Sequence, residues 1–201
     1  MSEKAINRAI DIFRQHDGVL RTKDAVTSGV HYRILYEMRD RGILEGISRG
    51  RYRLTELPPL SNPDLAIVAL RVPRGVICLI SALAFHELTT QVPHEVYIAL
   101  RRGSEEPRLN SPPIRVFKFS GHAFTEGIEE NQIDSITVRI YSPAKTIADC
   151  FKFRNQVGVD VAIEALKLYR RDAAFDVNEL MKFARICRVE KIMHPYVEAV
   201  L

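Results

Sequence analysis

The chain has 201 residues, 46% of them hydrophobic and 27% charged, with a formal net charge of +4 and an isoelectric point near 9.0. Length and apolar content suit one large or two small folded domains and exclude a disordered chain. A charge this modest excludes a polycation, so any nucleic-acid site must be a local patch, and the excess is concentrated early: residues 1–60 hold eleven Lys/Arg against eight Asp/Glu, the remainder eighteen against seventeen.

Residues 3–16 carry Ile6, Ala9, Ile10 and Phe13 at helical spacing, with Lys4, Arg8, Asp11 and Arg14 on the other faces. Asp17-Gly18 ends that helix, and Val19-Leu20 forms a short edge strand. Thr22 is placed to cap a second helix holding Ala25 and Val26, which Ser28-Gly29 stops. After a sharp turn at Val30, His31 opens a third helix with Leu35 and Met38 facing inward, closed by Gly42. Its remaining face, His31, Tyr32, Arg33, Glu37 and Arg41 with Tyr36 at the margin, has the polar and aromatic character that reads base edges in a DNA major groove. Strands over 43–47 and 51–54 flank a turn at 48–50; alternation points Arg49, Arg51 and Arg53 outward and Tyr52 and Leu54 inward. A basic two-stranded ribbon is what a phosphate-contacting wing requires. The order of signals predicts a winged helix-turn-helix over 1–57, with DNA-binding residues Thr22, Lys23, His31, Tyr32, Arg33, Tyr36, Arg49, Arg51 and Arg53.

Prolines at 58, 59 and 63 break the pattern and place a linker at 58–62. From Pro63 the chain reads as a second domain. It has a helix capped by Asn62, a buried strand over 76–80, a short helix capped by Ser81, strands over 95–100, 114–119 and 136–141, and then helices over 143–153, 159–169, 177–187 and 189–200. The fold class expected is α+β: an N-terminal winged helix-turn-helix, then a mixed α+β domain with a small sheet and C-terminal helices. The loop 101–113 bears Arg101, Arg102 and Arg108, offset by Glu105 and Glu106.

Catalytic patterns are weak. Ser142-Pro-Ala-Lys145 has the S-x-x-K spacing of serine acyl-transfer enzymes but no accompanying motif, and serine followed by proline is ordinary helix capping. Lys145 and Asp149, one turn apart, read as a surface ion pair worth about 0.2–0.5 kcal/mol. His86, His94, His122 and His194 lack zinc-ligand spacing, and no glycine-rich phosphate loop occurs. No catalytic residue, metal or cofactor is therefore expected. Cys78, Cys150 and Cys187 are dispersed among apolar neighbours and read as buried thiols of a reducing compartment. Without a signal-peptide core or an apolar run of roughly 20 residues, the expectation is a soluble cytoplasmic protein.

Three segments together resemble a known family: GVHYRILYEMRDRGILEGISRGRYRL, SALAFHELT after an apolar strand, and VRIYSPAKTIADCFKFRNQVGVDVAIEAL. They are similar to AbiEi proteins, the antitoxins of type IV toxin-antitoxin systems linked to abortive phage infection. The resemblance implies an N-terminal winged helix that represses its own operon by binding inverted repeats in promoter DNA. It implies a C-terminal domain that counters a nucleotidyltransferase-like toxin without a stable complex. The recognition-helix role falls on His31, Tyr32, Arg33 and Tyr36 and the wing role on Arg49, Arg51 and Arg53. Competing readings are a stand-alone regulator with a ligand-sensing or dimerising C-terminal domain, and an enzyme of unknown chemistry; a converging polar pocket would favour the last.

Overall fold

A computed structural model describes residues 3–201. The chain divides into two compact units, one of residues 1–71 with Ile133–Ile136, the other of 72–132 with 137–201. The first unit's elements are α1 (Glu3–Arg14), β1 (Val19–Arg21), α2 (Thr22–Thr27), α3 (Tyr32–Asp40), β2 (Leu44–Ser48), β3 (Arg51–Leu54) and α4 (Pro63–Arg71). Thus α4, which follows the proline-rich 58–62 segment, falls in the first unit.

Its core forms because each helix contributes one apolar stripe: Ile6, Ala9 and Phe13 from α1, Ala25 from α2, and Leu35 and Met38 from α3. Leu20, Leu44 and Leu54 close that core from an antiparallel sheet of order β1-β3-β2.

The second unit comprises β4 (Val76–Ile77), α5 (Leu79–Phe85), β5 (Val96–Arg101), β6 (Ile114–Phe119), α6 (His122–Thr125), β7 (Ile128–Ile133) up to Gln132, β8 (Ile136–Tyr141) from Thr137, α7 (Pro143–Lys152), α8 (Arg154–Val157), α9 (Val159–Arg170), α10 (Val177–Ile186) and α11 (Glu190–Val200). Its mixed sheet runs β6-β5-β4-β8-β7, with β4 antiparallel to β5 and parallel to β8, and β5 parallel to β6. The protein is thus mixed α+β. Among the described residues no helix is long and apolar enough to cross a membrane.

Two local expectations fail near β4. The strand expected over 76–80 ends at Ile77, because Leu79 adopts a φ of +48° and α5 starts there. Ser81 does not cap that helix. It lies inside it, buried, and its Oγ accepts the Tyr97 backbone N–H at 2.9 Å, tying α5 to β5.

Lys145 and Asp149 depart furthest from expectation. Every residue of α7 from Ala144 to Phe151 is buried, since α5, α9, α10 and α11 all pack on this helix. The expected surface pair is therefore a fully buried one, with Lys145 Nζ bonded to Asp149 Oδ2. The ammonium also sits 4.0 Å from the centroid of the Tyr141 ring and 5.0 Å from that of Phe119, where ring quadrupoles favour a cation. Cys187 Sγ donates to the other carboxylate oxygen at 3.2 Å. Burial holds the Asp149 carboxyl above its ordinary value although Lys145 and Cys187 pull it down. Gly127 presses on the same pair: with φ at +76°, a Cβ there would stand 2.8 Å from Lys145 Cβ.

Removing one partner of such a pair strands a charge without water. Lys145→Met is expected to destabilise the protein by about 3–5 kcal/mol in urea unfolding, with Lys145→Met/Asp149→Leu recovering most of the loss. An isolated surface pair would give under about 1 kcal/mol for the single change.

Candidate nucleic-acid interface

α3 starts where it does because His31, in extended conformation, caps it: the Arg33 backbone N–H donates to His31 Nδ1 at 3.2 Å. Burying Leu35 and Met38 turns Tyr32, Arg33 and Tyr36 outward. Both tyrosines are about half exposed, 49% and 48%, among the few large apolar side chains left at the surface. Successive turns of one helix thus present them, with Arg33 beside Tyr32 and Arg39 5.2 Å from the Tyr36 ring. Arg41, at the end of the helix, is tied to Glu3 at 2.6 Å and Glu37 at 2.5 Å and contributes no open charge.

The hairpin follows. β2 and β3 are joined through Arg49 and Gly50, whose φ of +68° is the left-handed turn geometry that glycine adopts without penalty. Arg49 is exposed and Arg51 half-buried. Thr22 departs from its expected role as a helix cap. Arg21 occupies the cap position, and Thr22 instead donates twice to the Gly50 carbonyl, through its backbone N–H at 2.8 Å and its hydroxyl at 3.1 Å. The junction of β1 and α2 is thereby fastened to the hairpin turn. Lys23, exposed, stands on the next residue.

Arg53 requires correction. It does face away from Leu54, but the chain beyond β3 folds back over it, leaving the residue 4% exposed. Its guanidinium donates to Glu45 Oε1 at 2.7 Å and to the Pro58 carbonyl. It is a neutralised staple for the segment that leaves the sheet, not an open cation of the hairpin surface. Arg21, conversely, is missing from the expected set. It is the Cα partner of Arg51, directly across the sheet. Continuing the alternation of Val19-Leu20 by one residue would have placed it on the outer face.

Elsewhere, His86 binds the Tyr141 carbonyl at 2.8 Å, and among the described residues no group of three or more His, Cys, Asp or Glu is placed to hold a metal ion. Burial pushes the Cys187 thiol up to about 12, and those of Cys78 and Cys150 upward as well, so none is an activated nucleophile.

A helix pair whose second member exposes aromatic and basic side chains, braced against a basic hairpin, defines the first unit as a candidate regulator domain. Residues 7–55 match the sequence profile of the family described as "Transcriptional regulator, AbiEi antitoxin". Over those residues the chain is similar to a transcriptional regulator and antitoxin of abortive-infection systems. The C-terminal segments that carried the wider resemblance lie outside the matched stretch. No curated protein matches the chain.

Arg53→Gln is expected to lower stability by about 1.5–3 kcal/mol, the scale of buried charge-assisted hydrogen bonds, while leaving the salt dependence of any DNA binding at the parent value. Thermal melting and a salt titration separate the two effects.

Proposed function

We propose that the protein is a DNA-binding transcriptional repressor and antitoxin of a type IV toxin-antitoxin system, acting in the cytoplasm. In this reading the first unit is a winged helix-turn-helix that represses its own operon by binding inverted repeats in the promoter. The second unit counters a nucleotidyltransferase-like toxin without a stable complex. The observation that carries the reading is the exposed face of α3, with Tyr32, Arg33 and Tyr36 turned away from the core beside a hairpin that presents Arg49 and Arg51. The family match over residues 7–55 supports it.

Physically the division of labour is simple. α3 enters the major groove, where the Arg33 fork pairs with O6 and N7 of a guanine and the tyrosine rings pack on thymine methyl groups. His31 orients the start of the helix and faces the groove wall. Arg49 and Arg51 meet phosphates, as does Lys23 at the start of α2, and each phosphate neutralised releases condensed counterions. Thr22 acts through position: its two bonds to Gly50 hold α2 and the hairpin as one rigid surface. The groove contacts select sequence and the phosphate contacts set register.

A gel-shift titration on DNA from immediately upstream of the gene, at two salt concentrations and against scrambled competitor, tests the reading. Specific, salt-sensitive binding is expected. Arg33→Ala costs about 1–3 kcal/mol on the specific duplex and little on the scrambled one. Arg49→Ala weakens both and lowers the salt slope by about 0.9. Equal affinity of the parent for both duplexes would refute operator recognition.

A further inference from the structure

Residues directly opposite in an antiparallel pair project to the same side of the sheet about 4.5–5.5 Å apart, and like charges there repel. Arg21 of β1 stands opposite Arg51 of β3. On the far side of β3 the partner of Arg51 is Ser48, so Arg21, Arg51 and Ser48 form one row across the three strands. Arg53, two residues along, has Glu45 to neutralise it. Among the described residues no carboxylate makes an ion pair with Arg21 or Arg51. Partial burial, and then the charge of Arg21, push the Arg51 guanidinium below its ordinary value, with Asp24 offsetting them in part.

The repulsion is held in place by the fold. β1 runs straight into Thr22, whose two donors grip the Gly50 carbonyl one residue before Arg51. The two cations are thus anchored from both sides and cannot separate by fraying of the edge strand. A juxtaposition of like charges that costs free energy in the isolated protein is offset when one anion bridges them. Side chains that start about 5 Å apart converge on a single phosphate more readily than on two successive ones.

We propose that Arg21 and Arg51 clamp one backbone phosphate of duplex DNA, with the Ser48 hydroxyl beside them, which makes the edge strand β1 part of the DNA interface. The proposal rests on the DNA-binding reading above and adds a contact to it that α3 and the hairpin tip do not include. The clamp is blind to sequence.

The test uses the full-length protein, the variants Arg21→Gln and Arg51→Gln and the double variant, each titrated with the upstream duplex and a scrambled duplex over a salt series. Either single substitution weakens binding to both duplexes. In the double variant the slope of log K against log salt falls by about 0.9, the contribution of one phosphate, rather than by about 1.8. Thermal melting of free Arg21→Gln stays at or above the parent value, because the substitution relieves repulsion; a side chain with only a structural role would lower it. The clamp is overturned if Arg21→Gln binds like a parent that itself binds DNA, if the double variant loses two phosphates' worth of slope, or if melting falls together with binding. A parent that binds neither duplex overturns the DNA-binding reading, and the clamp with it.

Discussion

β3 is hydrogen-bonded on both edges, to β1 in a register that sets Val19 opposite Arg53 and Arg21 opposite Arg51, and to β2 in one that sets Leu44 opposite Leu54 and Glu45 opposite Arg53. Four residues thereby carry two opposed duties. Leu54, with Tyr52 partly covered, closes the core against α1 and α3, while Arg51 and Arg53 are committed to the opposite face. A slip of one residue would exchange the faces, putting arginine into the core and leucine into water, so burial of Leu54 and Leu44 fixes where the charges must lie. The same register brings Arg21 against Arg51, and Gly50 against Thr22. The basic surface is thus a consequence of core packing on the other side of one strand.

The two units handle charge in opposite ways. In the second, α7 is covered on every side, and the only cation it carries inward is neutralised by Asp149, cushioned by two aromatic rings and fixed by a thiol. That arrangement is costly to break and adds little net stability when intact. It joins α7 to β8 through the Tyr141 ring and to the end of α10 through the Cys187 thiol. In the first unit, by contrast, Arg53 is neutralised by Glu45, while among the described residues Arg21 and Arg51 have no ion-paired carboxylate. Unneutralised cations on a rigid sheet are poised for a polyanion, the physical link between this fold and the function proposed for it.

Much of this was readable from the residues. The stripe of Leu35 and Met38 located α3 and its outward face, and the alternation through residues 51–54 located the hairpin. β6 and β8 lie where their apolar patterns put them. β7 is not legible in the sequence because its residues, IEENQI, are apolar only at the ends, as an edge strand facing water permits. Lys145 and Asp149 misled because an i, i+4 charge pair has the same spacing whether water or another helix covers it; only the packing of four helices around α7 decides. Arg53 misled for a related reason. Alternation gives the direction of a side chain, but not whether later chain folds over it. Arg21 lay one residue beyond the strand that local pattern defined.

The most direct test of the central claim, that the first unit meets duplex DNA through α3 and the hairpin, is amide chemical-shift mapping of the full-length protein titrated with the upstream duplex. The largest shifts are expected at residues 31–36 and 48–51, with Arg21 to Lys23 moving alongside them. Shifts concentrated on other surfaces, with these residues unmoved in a saturated complex, would contradict it.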